Sequence, residues 1–506
     1  MPNTRSAAPA APLAAIDIGS NSFRLEIGQV EQGRYRRIDY IKETVRLGSA
    51  LDEQGRLAEE AAVRGLACLE RFARRLQGFE PWQVRAVATQ TLREASNRDD
   101  FLARGRAVLG HSIEVISGRE EARLIYAGVA HLQPSTQRRL VIDIGGRSTE
   151  MILGVGRMPM AAESFQVGCV GLSMRYFGDG RLTAEAFRAA QVAAGAEIED
   201  ALATFAPSRW EEALGSSGTA GAVSQLLEAE GITDGRITPQ ALAWCIERCI
   251  AAGHVDQLSF ASLRPDRKSV IPGGLAILYT LCALLRIDVL KPAKGALRQG
   301  VVIELDARVR AAHQVHPADV RDRSVAELQR RFGVDTEQAM RVAQSALGLY
   351  EQIASPGDAR GEHGRELGWA AALHEIGMLV SHHDHHRHSA YLLAHVDAAG
   401  FSESQQRYLS TLVLGQRGGL RKVEGALEGR DYPWQLLCLR LAVIACHARV
   451  ASQTRWRLQR QSGSVELTFE SRGGATPDPR TLYLLREEAG AWQRTGLLTL
   501  VVQEPG

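Results

Sequence analysis

Two stretches of the chain place a carboxylate at the end of an apolar run and follow it with a turn of small residues. The first is Ala15-Ile16-Asp17-Ile18-Gly19-Ser20-Asn21-Ser22-Phe23-Arg24, and the second is Val141-Ile142-Asp143-Ile144-Gly145-Gly146-Arg147-Ser148-Thr149-Glu150. They match at Ile, Asp, Ile, Gly and Ser without gaps. A turn of small residues lets backbone N–H groups converge on a phosphate, because no side chain blocks the approach. Asp143 at the strand end and Glu150 beyond the turn are hard oxygen donors of the kind Mg²⁺ prefers. One such turn also reads as an ordinary hairpin, for which Gly and Asn are the usual residues. Two copies that both keep the carboxylate argue against it, since a hairpin has no use for a buried acid. The repeat predicts two related half-structures facing one phosphate and metal cleft.

Two more side chains have the chemistry such a cleft needs. Ser117 and Glu120 have the spacing of a capping box ahead of an apolar helix, which gives Glu120 a structural role at the helix end. Glu121 has no such role. At the positive end of the helix dipole, beside Arg119, it stays ionised and can act as a base; a solvated helix-start glutamate fits the same residues. Arg93 follows a strand end, where it can grip a phosphate as a bidentate fork or lie on the surface.

The elements that must position these groups are legible as alternating patterns. Residues 13–18, 24–30 and 35–41 read as successive strands, followed by a helix over 58–76 with Leu66, Leu69, Phe72 and Leu76 on one stripe. Short strands follow at 84–88 and 113–116, and a helix opens at Ser117. The order restarts at Leu140, with a helix over 183–205, a Gly215-Ser216-Ser217-Gly218-Thr219 turn and an apolar helix from Ile271. From 302 to 450 the pattern is helical, and 465–469 and 497–502 return to strand. The expected fold is α/β, with a loose N-terminus over 1–12 and domains over 13–133, 134–308, 309–455 and 456–506.

Composition sets outer bounds. The 506 residues carry 60 basic and 58 acidic side chains, a net charge of +2, which excludes a global attraction to polyanions. Any such attraction must come from local clusters, such as Arg264–Lys268, Arg330–Arg331, Arg417–Lys422 and Arg455–Arg460. Seven cysteines without a zinc-type double pair read as buried thiols of a reducing cytoplasm. The first twelve residues lack a secretory apolar core, and the most apolar run, 273–285, is too short to span a bilayer. A soluble cytoplasmic protein is expected, without a nucleic-acid partner and with no indication of peripheral membrane contact.

Read in order, further motifs join these: Thr-Leu-Arg at 91–93, Ser-Gly-Arg-Glu-Glu-Ala-Arg-Leu-Ile-Tyr at 117–126 and Gly-Cys-Val at 168–170. Gly-Ser-Ser-Gly-Thr at 215–219 and Gly-Ala-Leu-Arg-x-Gly at 295–300 complete the set. The whole closely resembles the bacterial exopolyphosphatase / guanosine pentaphosphate phosphohydrolase family, over nearly the full chain. The resemblance implies two actin-like (ribonuclease H-like) domains, a helical HD-like domain and a small C-terminal α+β domain. It implies Mg²⁺-dependent removal of terminal phosphate, with a monovalent cation such as K⁺ as a further candidate, and a homodimer. Carried over by position, Glu121 matches the catalytic glutamate that activates water, and Asp143 and Glu150 match the acids that hold the metal and orient that water. Arg93, Asn21, Ser22, Gly145, Gly146, Ser148 and Thr149 match positions lining the terminal phosphate.

Arg147 departs from the family pattern, which has a small residue there; were φ positive, arginine would be strained. In the helical region, eight of the 14 histidines fall between His363 and His395, around Leu373-His374-Glu375. A structural or polyanion-binding role is expected for them, with a second metal centre as the alternative. The expected activity is exopolyphosphatase action on inorganic polyphosphate. The alternative is hydrolysis of guanosine pentaphosphate (pppGpp), and less favoured are an ATP-dependent kinase of the sugar kinase and heat-shock ATPase superfamily that the resemblance implies, or a non-catalytic polyphosphate or alarmone sensor.

Overall fold

In the computed structural model, residues 11–312, 319–450, 454–461, 464–471 and 477–503 are described. The expectation of a loose N-terminus falls mostly on residues 1–10, outside that set. The chain divides into two units, Met1–Pro317 and Ala318–Gly506.

The first unit is built from two sheets with one plan. Strands β1 (Leu13–Ile18), β2 (Ser22–Glu31), β3 (Arg34–Thr44), β4 (Val84–Ala88) and β5 (Ile113–Val115) form a sheet ordered β3-β2-β1-β4-β5. Strands β6 (Arg138–Ile144), β7 (Thr149–Val155), β8 (Met158–Phe165), β9 (Glu212–Ser216) and β10 (Leu290–Pro292) repeat it as β8-β7-β6-β9-β10. In each sheet the first three strands are antiparallel and the last two join in parallel. Even the irregularities correspond: the pairing shifts at Ile27/Gly28 in one sheet and at the equivalent Leu153/Gly154 in the other.

Helices α1 (Glu59–Arg75), α2 (Gln90–Glu94), α3 (Arg98–Leu109) and α4 (Gly118–Leu132) belong to the first lobe. Those of the second are α5 (Cys169–Tyr176), α6 (Ala184–Ile198), α7 (Ser217–Ala229), α8 (Pro239–Ala252), α9 (Ile271–Leu284) and α10 (Leu297–Ala312). The helix expected over 183–205 is shorter, giving way to a 3-10 turn at Glu199–Ala201. Side chains alternate faces along a strand. In β1, Ala14, Ile16 and Ile18 therefore join the outer core with α1 and α3, whereas Leu13 and Ala15 face inward. In β6, Leu140, Ile142 and Ile144 face the outer helices and Val141 faces inward. The inner layer is α4 and α10, packed between the two sheets. Asp17 and Asp143 have the inward parity, so the periodicity that buries the core also turns both carboxylates toward the inner layer.

Helices α4 and α10 cross at backbone contact. A Cβ at Gly300 would lie 1.8 Å from the Leu124 carbonyl oxygen, and one at Gly128 would lie 2.4 Å from that of Ala296. The same contact is sealed by buried charge. Arg85 on β4 reaches Glu304 at 2.8 Å and Glu114 at 3.1 Å, while Arg123 pairs with Glu120 at 2.7 Å and also with Glu304. Removing one member of such a set strands its partner in low dielectric, at a cost of about 3–5 kcal/mol. Arg298 near the start of α10 holds Glu26 at 3.2 Å and Asp17 at 3.3 Å. The Gly-Ala-Leu-Arg-x-Gly motif is thus a docking device: its arginine ties α10 to β1 and β2, and its last glycine permits the crossing.

The second unit is mainly helical around one core, with helices such as Thr336–Ile353, Glu362–Ala372, Glu403–Gly415 and Tyr432–Ala445. Strands Thr454–Gln461 and Ser464–Ser471 pair antiparallel, and Thr499–Val502 adds in parallel. Trp456, Val465 and Trp492 share the core of the helices, and a buried Arg440–Glu488 pair joins helix Tyr432–Ala445 to helix Pro479–Gln493. All seven cysteines are buried and unpaired. No described helix is long and apolar enough to cross a membrane.

The α4–α10 crossing generates a stability prediction. Gly300→Ala forces a methyl group into a carbonyl and is expected to cost about 3 kcal/mol or more in urea unfolding. Gly221→Ala in α7, where nothing lies within 4 Å of the added Cβ, is the control and is expected to be neutral or slightly stabilising.

Candidate active site

The two small-residue turns meet between the lobes. The Gly145 N–H donates to the Ser148 carbonyl at 2.9 Å and closes the second turn. Its carbonyls are gripped from behind by the start of α5. Cys169 N–H donates to Gly145 O at 3.0 Å and Val170 N–H to Gly146 O at 2.8 Å. With the carbonyls of 145 and 146 turned toward α5, the N–H groups of residues 146 and 147, which lie opposite them across trans peptides, point away from α5. A Cβ on Gly146 would lie 3.1 Å from Ser20 Cβ and 3.5 Å from Asn21 N, so the turns of the two lobes touch where a larger residue would wedge them apart. Gly145, Gly146 and Arg147 all lack a positive φ, so the glycines serve close approach and arginine at 147 carries no backbone strain.

A cavity of about 80 Å³ lies under these turns, and Asn21, Ser22, Glu121, Asp143, Gly145, Gly146 and Ser148 line it. Glu121 arrives from the head of α4, where Ser117 Oγ accepts the Glu120 N–H at 3.2 Å. The Glu120 carboxylate pairs with Arg123. Glu150 is buried beside the cavity at 1% exposure, where Ser164 Oγ donates to it at 2.8 Å.

Two expected phosphate ligands are used otherwise. Thr149 is fully buried and its hydroxyl donates to Val167 O, because strand alternation turns it to the face opposite Glu150. Arg93 stands behind Glu121. Its Nη1 donates to Glu121 Oε2 at 3.0 Å and to Ile116 O at 2.7 Å, and its Nε and Nη2 both bind Gln90 Oε1. Both sides of its fork are therefore taken by protein.

The electrostatics of the cavity are set by burial of acids. In the first sheet Asp17 is register partner to Arg24, and the two form an ion pair at 3.4 Å. At the equivalent place in the second sheet, Asp143 faces Glu150. Burial raises the Asp143 pKa; burial, then Glu121 and Asp143, raise that of Glu150. Burial likewise raises Glu121, against the pull of Arg93. The second lobe thus sets acid against acid where the first pairs acid with base, and a hard divalent cation fits that oxygen set. Among the described residues no three His, Cys, Asp or Glu side chains form a ready-made cage. Mg²⁺ suits this arrangement, since it keeps waters and substrate oxygens and needs only one or two carboxylates.

Several cleft residues lie outside the sequence-based set. Ser217, in a left-handed conformation at φ 62°, donates its hydroxyl to Asp143, and Arg267 binds Gly218 O at 2.7 Å. The 215–219 turn was the visible signal for Ser217, and the Arg264–Lys268 cluster for Arg267. Arg24 and Arg267 line the cavity, and Lys42, register partner of Arg24, sits in the electrostatic field of both and of Arg264. Burial, aided by those arginines, pulls Lys42 down to about 8.

The histidine-rich segment lies in the second unit. His374 is buried with Nδ1 against Ala371 O at 2.7 Å, and His385 and His386 are buried as well.

Paired glycine turns over a carboxylate-lined cavity, in two lobes of one plan, are features of an α/β enzyme of phosphate chemistry. The model of the Ppx/GppA phosphatase family matches residues 27–308, and that of domain III of the family matches residues 320–478. The guanosine-5'-triphosphate,3'-diphosphate pyrophosphatase of Aeromonas hydrophila is 36% identical over 464 residues, 90% of this chain and 92% of the relative. Among solved structures, the Aquifex aeolicus member of the Ppx/GppA family is 26% identical with a TM-score of 0.51, covering 60% of this chain and 100% of that one. An exopolyphosphatase-like protein is 25% identical with a TM-score of 0.54, at the same coverage. The chain belongs to the Ppx/GppA phosphatase family. It is a phosphohydrolase of the kind that acts on poly- or oligophosphate or on guanosine pentaphosphate, and membership brings the family's divalent-cation dependence.

Gly168, just before α5, tests the turn. A Cβ there would lie 2.4 Å from Arg147 N and from Gly146 C. Gly168→Ala is expected to lower stability by about 2 kcal/mol or more in thermal unfolding, because only backbone can give way. Gly171→Ala, with nothing within 4 Å, is expected to leave stability within about 1 kcal/mol of wild type.

Proposed function

We propose that this chain removes the terminal 5'-phosphate of guanosine pentaphosphate, releasing orthophosphate, with Mg²⁺ as the cation. The likeness to the Aeromonas hydrophila enzyme, whose name gives guanosine-5'-triphosphate,3'-diphosphate as substrate, carries this reading along 90% of the chain. It reverses the order suggested by sequence alone, in which polyphosphate stands first. In this reading the N–H groups of residues 146 and 147 and the side chains of Asn21, Ser22 and Ser148 hold the terminal phosphate. A water oxygen attacks phosphorus, the bridging P–O bond breaks toward the rest of the substrate, and Glu121 takes the water's proton on a carboxylate oxygen. Arg93 holds that carboxylate in place. Asp143 and Glu150 would hold Mg²⁺, which neutralises charge on phosphoryl oxygens when bound.

Inorganic polyphosphate is the second reading. The basic wall of Arg24, Lys42, Arg264 and Arg267 beside the cavity supports it, since a repeating polyanion gains from each cation along its path. The two lobes read as actin-like, which their common strand order supports, and the domain limits proposed with that reading are 133, 308 and 455. The HD-like reading of the helical region is proposed on the family resemblance alone, since the buried pair here is His374–Glu375 where HD-type enzymes have His-Asp. A homodimer is proposed on the family resemblance alone, and a cytoplasmic location is proposed on the unpaired, buried cysteines.

The test is orthophosphate release with Mg²⁺ from guanosine pentaphosphate and from long-chain polyphosphate, side by side. Release from the nucleotide, reduced at least ~100-fold in Glu121→Gln, is the expected result. Release from polyphosphate alone would replace the first reading by the second, and no release from either would sink both. A pH series adds a check on the basic wall. The Lys42 charge is present below about 8 and lost above it. KM for the polyanion is therefore expected to rise between about pH 7 and pH 9, and Lys42→Arg, which stays charged, is expected to flatten that rise.

A further inference from the structure

Arg147 lies in the middle of the second phosphate turn, yet its guanidinium is engaged elsewhere. Nε and Nη2 reach Glu94 Oε2 at 2.9 and 2.7 Å, and Nη1 donates to Gly48 O at 2.9 Å. Glu94 ends α2 and Gly48 sits in the 3-10 turn Leu47–Ala50, both in the first lobe. One side chain of the second lobe thus secures two separate segments of the first. The ion pair is about three-quarters shielded from solvent on both sides, which places it above an ordinary surface pair.

The contact continues inward. Gln90 Nε2 donates to the other Glu94 oxygen at 2.5 Å, and Gln90 Oε1 accepts from Arg93 Nε and Nη2 at 3.0 and 2.6 Å. Arg93 Nη1 then donates to Glu121 Oε2 at 3.0 Å. From Arg147 to the carboxylate at the head of α4 there is no gap in this relay. Its middle members, Gln90, Arg93 and Glu94, share one face of α2, which has only five residues. A helix that short has no stability of its own, so its orientation is set by what grips it.

We propose that Arg147 is a positioning residue: by clamping Glu94 and Gly48 it fixes the spacing of the lobes and, through Gln90 and Arg93, the aim of the Glu121 carboxylate. This rests on the reading of Glu121 as the base. The Arg147 side chain acts without touching substrate, and its planar fork is essential, because a lysine ammonium cannot hold the carboxylate and the carbonyl in the same geometry.

The test combines steady-state phosphate release, on whichever of the two substrates the wild type hydrolyses, with hydrogen–deuterium exchange of the ligand-free protein. Arg147→Ala is expected to lower kcat about tenfold or more with KM changed less than about threefold, as misplacement of a reacting group does. Exchange over residues 89–95 is expected to rise. Arg147→Lys is expected to resemble Arg147→Ala, and Glu94→Gln, which breaks the same link from the other lobe, serves if Arg147→Ala fails to fold. The reciprocal double variant, Arg147→Glu with Glu94→Arg, is expected to recover part of the kcat lost by either single reversal. Wild-type kcat together with unchanged exchange over 89–95 overturns the proposal. A rise confined to KM also overturns it, since that is the signature of a direct substrate contact. A wild type inactive on both substrates sinks the functional reading instead, while the exchange measurement still decides the clamp.

Discussion

The structure turns on three carboxylates, Glu121, Asp143 and Glu150, kept from water within one another's electrostatic reach. Like charges in low dielectric raise each other's pKa and repel, so such a group persists only where the surrounding fold over-determines it. Here the fold does so from three directions. Strand pairing fixes Asp143 against Glu150, the N-terminus of α4 presents Glu121, and Arg93 restrains it. The two lobes differ at one position of the repeat. Arg24 neutralises Asp17 in the first lobe, and its counterpart in the second is Glu150. The change of sign converts a structural ion pair into a site that calls for a cation.

Holding that site requires the lobes to be in register with one another. The glycine-lined crossing of α4 and α10 fixes the inner layer at backbone contact, and the Arg85–Glu304–Arg123 cluster seals it with charge. Glu121 stands at the head of one of those two helices, so the packing that joins the lobes also sets the height of the carboxylate in the cleft. Arg147 adds a second tie between the lobes.

Much of this was legible in the sequence because it is local. The repeated Asp and glycine turn, the strands at 13–18 and 84–88 and the helix start at Ser117 depend on near neighbours and on period-two alternation. What was illegible depends on facing and on distance. Thr149 matched a motif, but whether its hydroxyl faces the cleft is decided by strand parity beside Glu150. Arg93 carried the right chemistry, yet its partner Glu121 lies 28 residues away on another element. Lys42 was invisible because its neighbours Arg24, Arg264 and Arg267 come from two lobes. For the same reason the role of Arg147 could not be read: Gly48 and Glu94 lie 99 and 53 residues away.

The return of α10 to the first lobe has a consequence for modularity. Arg298 and Gln299 satisfy Glu26, and Glu304 satisfies Arg85, so polar groups of the first sheet find their partners some 220 to 270 residues later in the chain. Cut at the boundary between the repeats, the first half would expose a glycine-grooved helix and leave buried ions alone. The two halves share a plan in their strands but are not separable parts. Gene fission, domain exchange or circular permutation within the first unit must carry α10 along with the lobe it serves.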